Sequence, residues 1–200
     1  MNNSAMYKLG CGLYVLSARE GEKDNGCITN TAMQVTASPN RITIAVNKQN
    51  LTHDMVLKTG VFNLSVLSEA TPFALFERFG FQSGRTADKF SGILATRSEN
   101  GVLYLPEQTS AFLSGKVLTA TDLGTHTLFL AEVTDGEVLS ALAPATYAYY
   151  QSSIKPKPQA TPKKGYRCKI CGYIYEGESL PPDFICPVCK HGAEDFEKIV

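Results

Sequence analysis

The sequence predicts a mainly β protein in two parts, a β-barrel with a few helices and then a small metal-binding domain. Three observations carry this. Short, β-branched apolar runs recur through roughly the first 150 residues without long helices between them. A stretch rich in proline and lysine, from Gln151 to Lys164, then breaks the pattern. Two C-x-x-C pairs follow it, Cys168 with Cys171 and Cys186 with Cys189.

The runs predict strands over Leu13–Ser17, Arg41–Val46, Phe62–Leu67, Gly101–Leu105, Phe112–Thr119 and Thr127–Val133. Turn signals separate several of them: Asp24-Asn25-Gly26, Ser38-Pro39-Asn40, Glu99-Asn100-Gly101 and Asp135-Gly136. A short helix is expected over Thr52–Thr59. A second opens with Thr71 as its N-cap and Pro72 at its first position. Phe73, Phe76 and Phe79 recur there at helical spacing and form a core or interface face. A doubly wound sheet would alternate strands with long helices, and this chain does not.

The 200 residues carry a formal net charge of zero, 44% hydrophobic and 19% charged side chains. These are values of an ordinary globular protein, and the missing basic excess argues against a nucleic-acid partner. No apolar run reaches the roughly eighteen residues of a membrane span. Leu9–Ala18 reads as a first strand rather than a secretory segment, because no cleavage pattern precedes the charged Arg19–Asp24. The chain contains six cysteines, and four of them form close pairs. Close pairs without a signal peptide read as metal ligands in a reducing cytoplasm. Cys11 and Cys27 stand apart and are expected to be buried, unreactive thiols. The expected boundaries are a domain over 1–150, a Pro/Lys-rich linker over 151–164 and a small domain over 165–200.

The metal ligands are Cys168, Cys171, Cys186 and Cys189. Each C-x-x-C turn presents two thiolates, and two turns brought together complete a tetrahedral site. So small a module needs such a staple. Spacing alone leaves zinc and iron open. Tyr166, Tyr173, Tyr175, Phe184 and Phe196 supply its core and shield the sulfurs from water. Tyr166-Arg-Cys-Lys-Ile-Cys-Gly-Tyr-Ile-Tyr-Glu-Gly followed by Pro-Pro-Asp-Phe-Ile-Cys-Pro-Val-Cys resembles a rubredoxin domain, and more narrowly the rubredoxin-like module of rubrerythrins. The gap between the pairs is shorter than in ordinary rubredoxin. Lys190 also stands where glycine is usual, which puts one N–H···S contact in question. The resemblance implies an Fe(Cys)4 electron carrier.

In the larger part, Asp24–Thr36 is rich in short donors and acceptors. It reads either as a contact for a polar cofactor edge and phosphate or as a plain loop entering a strand. Lys48 and Thr52 form a second polar set beside a helix start, where an anion is favoured. The N-G-x-T-x-N-like segment from Asn25 to Pro39, the segment Asn47–Thr59 with Phe62-Asn-Leu-Ser-Val-Leu67, and Gly124-Thr-His126-Thr-Leu-Phe-Leu-Ala-Glu132-Val133 resemble the flavin-reductase-like family. That resemblance implies an FMN-binding split β-barrel. It places Thr29, Asn30, Thr31, Lys48 and Thr52 around FMN within the segments that Asn25 opens, with His126 near nicotinamide or flavin. His53 and His191 have weaker claims. The family is commonly homodimeric.

The two parts together resemble the high-molecular-weight rubredoxins. This implies transfer from NADH or NADPH through FMN to the iron, and on to a flavodiiron-type reductase of oxygen or nitric oxide. No catalytic base is expected, since hydride transfer needs positioning rather than a dedicated acid or base. Two other readings stay open: a zinc-holding adaptor with a split barrel, and a reductase of free flavin.

Overall fold

The computed structural model describes residues 5, 8–156 and 165–199. The chain divides into two compact units, Met1–Lys155 and Pro156–Val200.

The first unit is a seven-stranded antiparallel sheet in the order β2-β1-β5-β8-β9-β4-β3. Its strands are β1 (Tyr14–Glu20), β2 (Lys23–Thr29), β3 (Met33–Ala37), β4 (Asn40–Asn47), β5 (Val61–Leu67), β8 (Thr109–Asp122) and β9 (His126–Val138). A short hairpin, β6 (Thr96–Arg97) and β7 (Leu103–Tyr104), stands beside it. The two edge strands, β2 and β3, are neighbours in sequence. Only Asn30, Thr31 and Ala32 join them, so the sheet must curl until its edges meet. This is the expected split barrel.

Alternation along the strands fills the barrel. Ile42, Ile44 and Val46 of β4 point inward, as do Phe129 and Ala131 of β9. Helix α1 (Leu51–Thr59) closes one end with Met55 and Val56. Gly60 ends that helix in a left-handed turn at φ 72°. Strand β1 is buried on both faces. Leu16 and Ala18 join the barrel core, whereas Val15 joins an outer cluster with Leu67, Phe76, Phe79, Phe90, Leu105 and Tyr150.

That outer cluster explains the second helix. Phe76 packs 4.6 Å from Tyr150 and Phe79 packs 5.1 Å from Phe90, centroid to centroid. These two rings are core. The helix α2 (Phe73–Phe76) runs on into a π-helical turn, Glu77–Phe81. Pro72 rather than Thr71 caps it. The Thr71 hydroxyl instead donates to the Gln108 carbonyl at 2.8 Å.

Two expected turns are strand. Asp24-Asn25-Gly26 lies inside β2, and the hairpin turns earlier, at Gly21-Glu22. Gly26 serves close approach, because a Cβ there would meet Phe79 at 3.0 Å. Asp135-Gly136 lies within β9, where a Cβ on Gly136 would strike Leu113 at 2.8 Å. The Asn-Gly and Asp-Gly signals were overridden by packing that leaves no room for a side chain. The strand expected over Gly101–Leu105 shrinks to Leu103–Tyr104, with Ser98–Gly101 forming the predicted turn.

The linker was expected from Gln151. Instead helix α3 (Tyr147–Tyr149) continues as a π-helical turn over Tyr150–Ile154, and Tyr150 and Ile154 pack into the outer cluster. Their apolar spacing keeps the chain on the first unit through Lys155. Residues 157–164 of the expected linker lie outside the described residues.

The second unit has a three-stranded sheet in the order β11-β10-β12. Its strands are β10 (Gly165–Cys168), β11 (Ile174–Tyr175) and β12 (Phe196–Ile199).

Candidate cofactor seam and metal centre

The seam between β2 and β3 gathers most of the polar residues singled out in the first unit. Thr31 clasps β4: its hydroxyl donates to the Ala45 carbonyl at 2.8 Å and accepts from the Ala45 amide at 3.0 Å. The Thr29 hydroxyl lies 2.8 Å from that of Thr31. Two residues along β4, Asn47 pairs with His126 at the start of β9. The Lys48 amide donates to the Thr125 carbonyl at 3.0 Å, and the Thr125 hydroxyl lies 2.9 Å from His126 Nδ1. Thr29, Thr31, Lys48 and His126 therefore share one end of the barrel, where β4 ends and β9 begins. Asn30 is half-buried in the link itself.

Asn25 and Thr52 are placed differently. Both are buried, and Asn25 Nδ2 donates to the Thr52 hydroxyl at 2.9 Å. Thr52 also hydrogen-bonds the Cys27 thiol. Burial pushes that thiol up, against the pull of Thr52 and Lys89. Thr52 thus faces β2 from α1 as an internal strut. The Lys48 ammonium is engaged too, 2.6 Å from Asp122 Oδ1. That ion pair, with the Gly124 amide, holds the Asp122 carboxyl below its usual range. His53 is buried against Thr127 at 2.9 Å and Asp54 at 3.0 Å.

The loop Ser83–Phe90 was not among the segments singled out from sequence. Gly84 lies against the Asn25 side chain so closely that a Cβ would fall 2.1 Å from its Oδ1. Arg85 reaches Asp54 at 2.7 Å. Lys89 is 3% exposed, and its ammonium donates to the carbonyls of Gly26 at 3.0 Å and Phe79 at 3.1 Å. Burial pulls the Lys89 pKa down. The loop is thus locked onto β2 and the start of α1. Beside it lies a cleft of about 540 Å³ lined by Lys23, Asp24, Arg85, Thr86 and Asp88, among others. The available signal was Ser83-Gly-Arg-Thr: a glycine between a serine and an arginine, two residues after an aromatic helix ends.

In the second unit the four sulfurs of Cys168, Cys171, Cys186 and Cys189 lie within 4.8 Å of one another. Two of the separations, Cys168–Cys189 and Cys171–Cys186, are 3.5 Å. A tetrahedron with metal–sulfur bonds of about 2.3 Å has edges of about 3.8 Å, so the residues fit one thiolate-bound ion.

The two cysteine loops are built alike. Cys168 N donates to Tyr173 O and Cys186 N to His191 O, both at 2.8 Å. Gly172 N returns to Cys168 O, as Lys190 N returns to Cys186 O, both at 2.9 Å. The Tyr173 amide points at the Cys171 sulfur and the His191 amide at that of Cys189. Gly172 and Lys190 take matching left-handed conformations, φ 81° and φ 62°. Lys190 therefore preserves the N–H···S contact that its side chain had put in question.

Burial and neighbouring thiols push Cys171 up to about 11, although the Tyr173 amide favours its thiolate. Cys189 is raised further, chiefly by burial. Burial also opposes the Cys186 thiolate, but the amides of Cys189 and Val188 and the thiols of Cys171 and Cys189 together outweigh it and its pKa falls. Four crowded sulfurs resist joint ionisation, and a cation at their centre reverses this. Tyr173, Tyr175 and Phe196 surround the Phe184 ring, at 6.5, 4.7 and 5.4 Å between centroids.

Comparison with known proteins places each unit. The model of the flavin reductase like domain matches residues 6–157, and that of the rubrerythrin, rubredoxin-like domain matches residues 166–197. The chain is 37% identical to the high molecular weight rubredoxin of Moorella thermoacetica, over 100% of both proteins. It is 37% identical to the ferric-chelate reductase (NAD(P)H) of Archaeoglobus fulgidus, over 80% of this chain and 95% of that one. Among solved structures, the NADH:FAD oxidoreductase SgcE6 of Streptomyces globisporus C-1027 superposes with a TM-score of 0.65 at 22% identity, covering 71% of this chain and 84% of that one. The FMN-binding protein of Thermus thermophilus does so with a TM-score of 0.59 at 24% identity, covering 66% and 74%. These last two likenesses are of fold. The domain matches and the sulfur cluster together support a flavin in the first unit and iron in the second.

Proposed function

The chain belongs to the high-molecular-weight rubredoxin family, NAD(P)H-dependent oxidoreductases of flavin reductase-like build with a rubredoxin-like domain, and we propose that it passes electrons from NADH or NADPH through FMN to a four-cysteine iron centre and on to a flavodiiron-type reductase of oxygen or nitric oxide. The observation that carries this reading is a four-sulfur cluster borne on the same chain as a flavin reductase-like barrel. Bound flavin supplies the exchange between a two-electron hydride donor and a one-electron iron acceptor.

The residues of the chain have positioning to do. Thr29, Asn30 and Thr31 offer hydroxyl, amide and backbone groups along the seam to FMN. Lys48 offers its ammonium to the phosphate by exchanging Asp122 for it, and His126 lies at the nicotinamide side. Asn25 and Thr52 act from beneath, fixing β2 against α1. No side chain is assigned the part of catalytic base. At the iron, the amides of Tyr173, Val188, Cys189 and His191 favour the sulfur-bound negative charge.

The protein works as a homodimer in the cytoplasm on this reading. No helix among the described residues is long and apolar enough to cross a membrane, and none of the six cysteines forms a disulfide. The ferric-chelate reductase relative covers 80% of this chain, which favours a second outlet: the barrel alone reducing a small ferric acceptor.

Titration of the aerobically purified protein with NADH tests the main route. Flavin and ferric-thiolate bands are both expected, and both should bleach. A colourless protein would sink the iron centre. Flavin that bleaches while iron stays oxidised would break the internal transfer.

A further inference from the structure

His53 is a buried titratable side chain to which the reading above gives no part. It sits in the first turn of α1, 4% exposed, where that helix closes one end of the barrel. Its ring tilts against Phe129 at 5.8 Å between centroids. A leucine would fill such a place with no polar group to satisfy. The histidine differs because both ring nitrogens are engaged. Nδ1 lies 3.0 Å from Asp54 Oδ1, and Nε2 lies 2.9 Å from the Thr127 hydroxyl.

Chemistry fixes the direction of these bonds. A carboxylate only accepts, so in the neutral ring Nδ1 carries the proton and donates to Asp54. Nε2 is left to accept, and the Thr127 hydroxyl donates to it. Asp54 Oδ2 in turn accepts from the Arg85 guanidinium at 2.7 Å. Arg85, Asp54, His53 and Thr127 thus form one chain from the Ser83–Phe90 loop through α1 to β9. Its end on β9 matters because of what stands next to it. His126 opens that strand, opposite Asn47 where β4 ends. Successive side chains on a strand face opposite ways. Thr127 is buried and turns in to His53, whereas His126 is half-buried on the other face. Outside the barrel end, the Lys48 amide holds the Thr125 carbonyl at 3.0 Å. Gripping Thr127 from within therefore fixes the backbone that carries His126.

We infer that His53 is a positioning residue for hydride transfer: by accepting from Thr127 it sets His126 at the nicotinamide side, and through Asp54 and Arg85 it ties that setting to the Ser83–Phe90 loop. This rests on the reading above, in which NADH or NADPH reduces a flavin at this end of the barrel. His53 acts through Thr127, from inside. Its effect falls on how the nicotinamide is received and oriented, where small displacements are costly. Reduction of the flavin by a reagent that needs no such seat is indifferent to it.

The test uses the full-length protein loaded with flavin and iron. Bleaching of the flavin band is followed without oxygen, against NADH concentration and, separately, with dithionite. Thr127→Val removes one hydroxyl and keeps the branched shape. It should raise the half-saturating NADH concentration several-fold and change the limiting rate by less. His53→Asn keeps a donor near the place of Nδ1 and loses the acceptor, so it should match Thr127→Val. The double variant should be no worse than either alone, since both break one bond. His53→Gln keeps an acceptor near the place of Nε2 and should recover most of the loss. Thr134→Val, toward the far end of β9, should leave the NADH dependence as it was. Dithionite should bleach every variant at the same rate. An unchanged NADH dependence in Thr127→Val, losses that multiply in the double variant, or equal slowing with dithionite would overturn the positioning role and leave the NAD(P)H reading standing. Unaltered protein whose flavin NADH does not bleach would break that reading and the inference with it.

Discussion

Phe62 and Phe129 of the first unit are at 0% exposure and Phe79 is at 1%, within two clusters of fully buried aliphatic and aromatic side chains. In the second unit, among the described residues, only the side chains of Cys168 and Cys186 are as deeply buried. Its aromatic rings are merely half-buried around Phe184. One unit is held by apolar area removed from water. The other has too few residues for that and is held by ligation. The two should therefore respond to different insults.

Metal loss should separate them most sharply. Cys186→Ser, or a chelator that strips the ion, withdraws folding free energy on the order of 10 kcal/mol from the second unit. Near-ultraviolet dichroism of Tyr173, Tyr175 and Phe184 should collapse while the barrel melts at an unchanged temperature. A large fall in the barrel's melting temperature would mean that the units are not energetically separate.

Phe129→Ala is the converse experiment. It should cost the barrel about 3–5 kcal/mol by denaturant titration and leave the ferric-thiolate spectrum untouched. A shifted metal spectrum would contradict the division.

Lys190→Gly sharpens the picture within the second unit. A non-glycine residue at φ 62° carries roughly 1–2 kcal/mol of strain, and glycine relieves it without moving the His191 amide. Metal loss to a chelator should slow several-fold. Gly172→Ala should do the reverse at the matching position. Unequal responses would show that the likeness of the two loops is geometric only.

The smallest effect falls on the barrel's ion pairs. Asp54 is held low chiefly by its hydrogen bond to His53, and by Arg85. A carboxyl lowered on folding stabilises above its unfolded value of about 3.9, and that contribution fades as pH falls through the folded value. Asp54 is 45% exposed, so Asp54→Asn should cost only a few tenths of a kcal/mol at pH 7 and nothing near pH 2. Urea midpoints at the two pH values, read from the barrel, measure the difference.

The same contrast governs what was legible in the sequence. The metal site could be read outright, because four thiolates at fixed spacing are both the chemistry and the fold. A β-barrel was visible in its strand runs, since inward alternation leaves a pattern in β4 and β9, and its split form came from the resemblance to the flavin-reductase-like family. Strand β2 was not visible. Asn25-Gly26 has the chemistry of a turn, and only the Phe79 ring pressed on Gly26 shows why it is straight. The roles of Thr52 and Lys89 also depended on partners far along the chain. A threonine at a helix start looks ready for an anion, and nothing local shows Asn25 already occupying it. A lysine after an aspartate looks solvated until two backbone carbonyls enclose it.

The Thr31 clasp has a kinetic consequence. Thr31 and Ala45 are close in sequence, which suggests an early, local contact. Yet Ala45 is fixed only when β4 lies beside β9, and Asn47 finds His126 across much of the first unit's length. Closing so long a loop is slow, and contacts that depend on it wait for it. The seam proposed for the flavin is thus expected to be completed late in folding, after β4 and β9 have paired, so a chain that has not finished its barrel has no flavin seam.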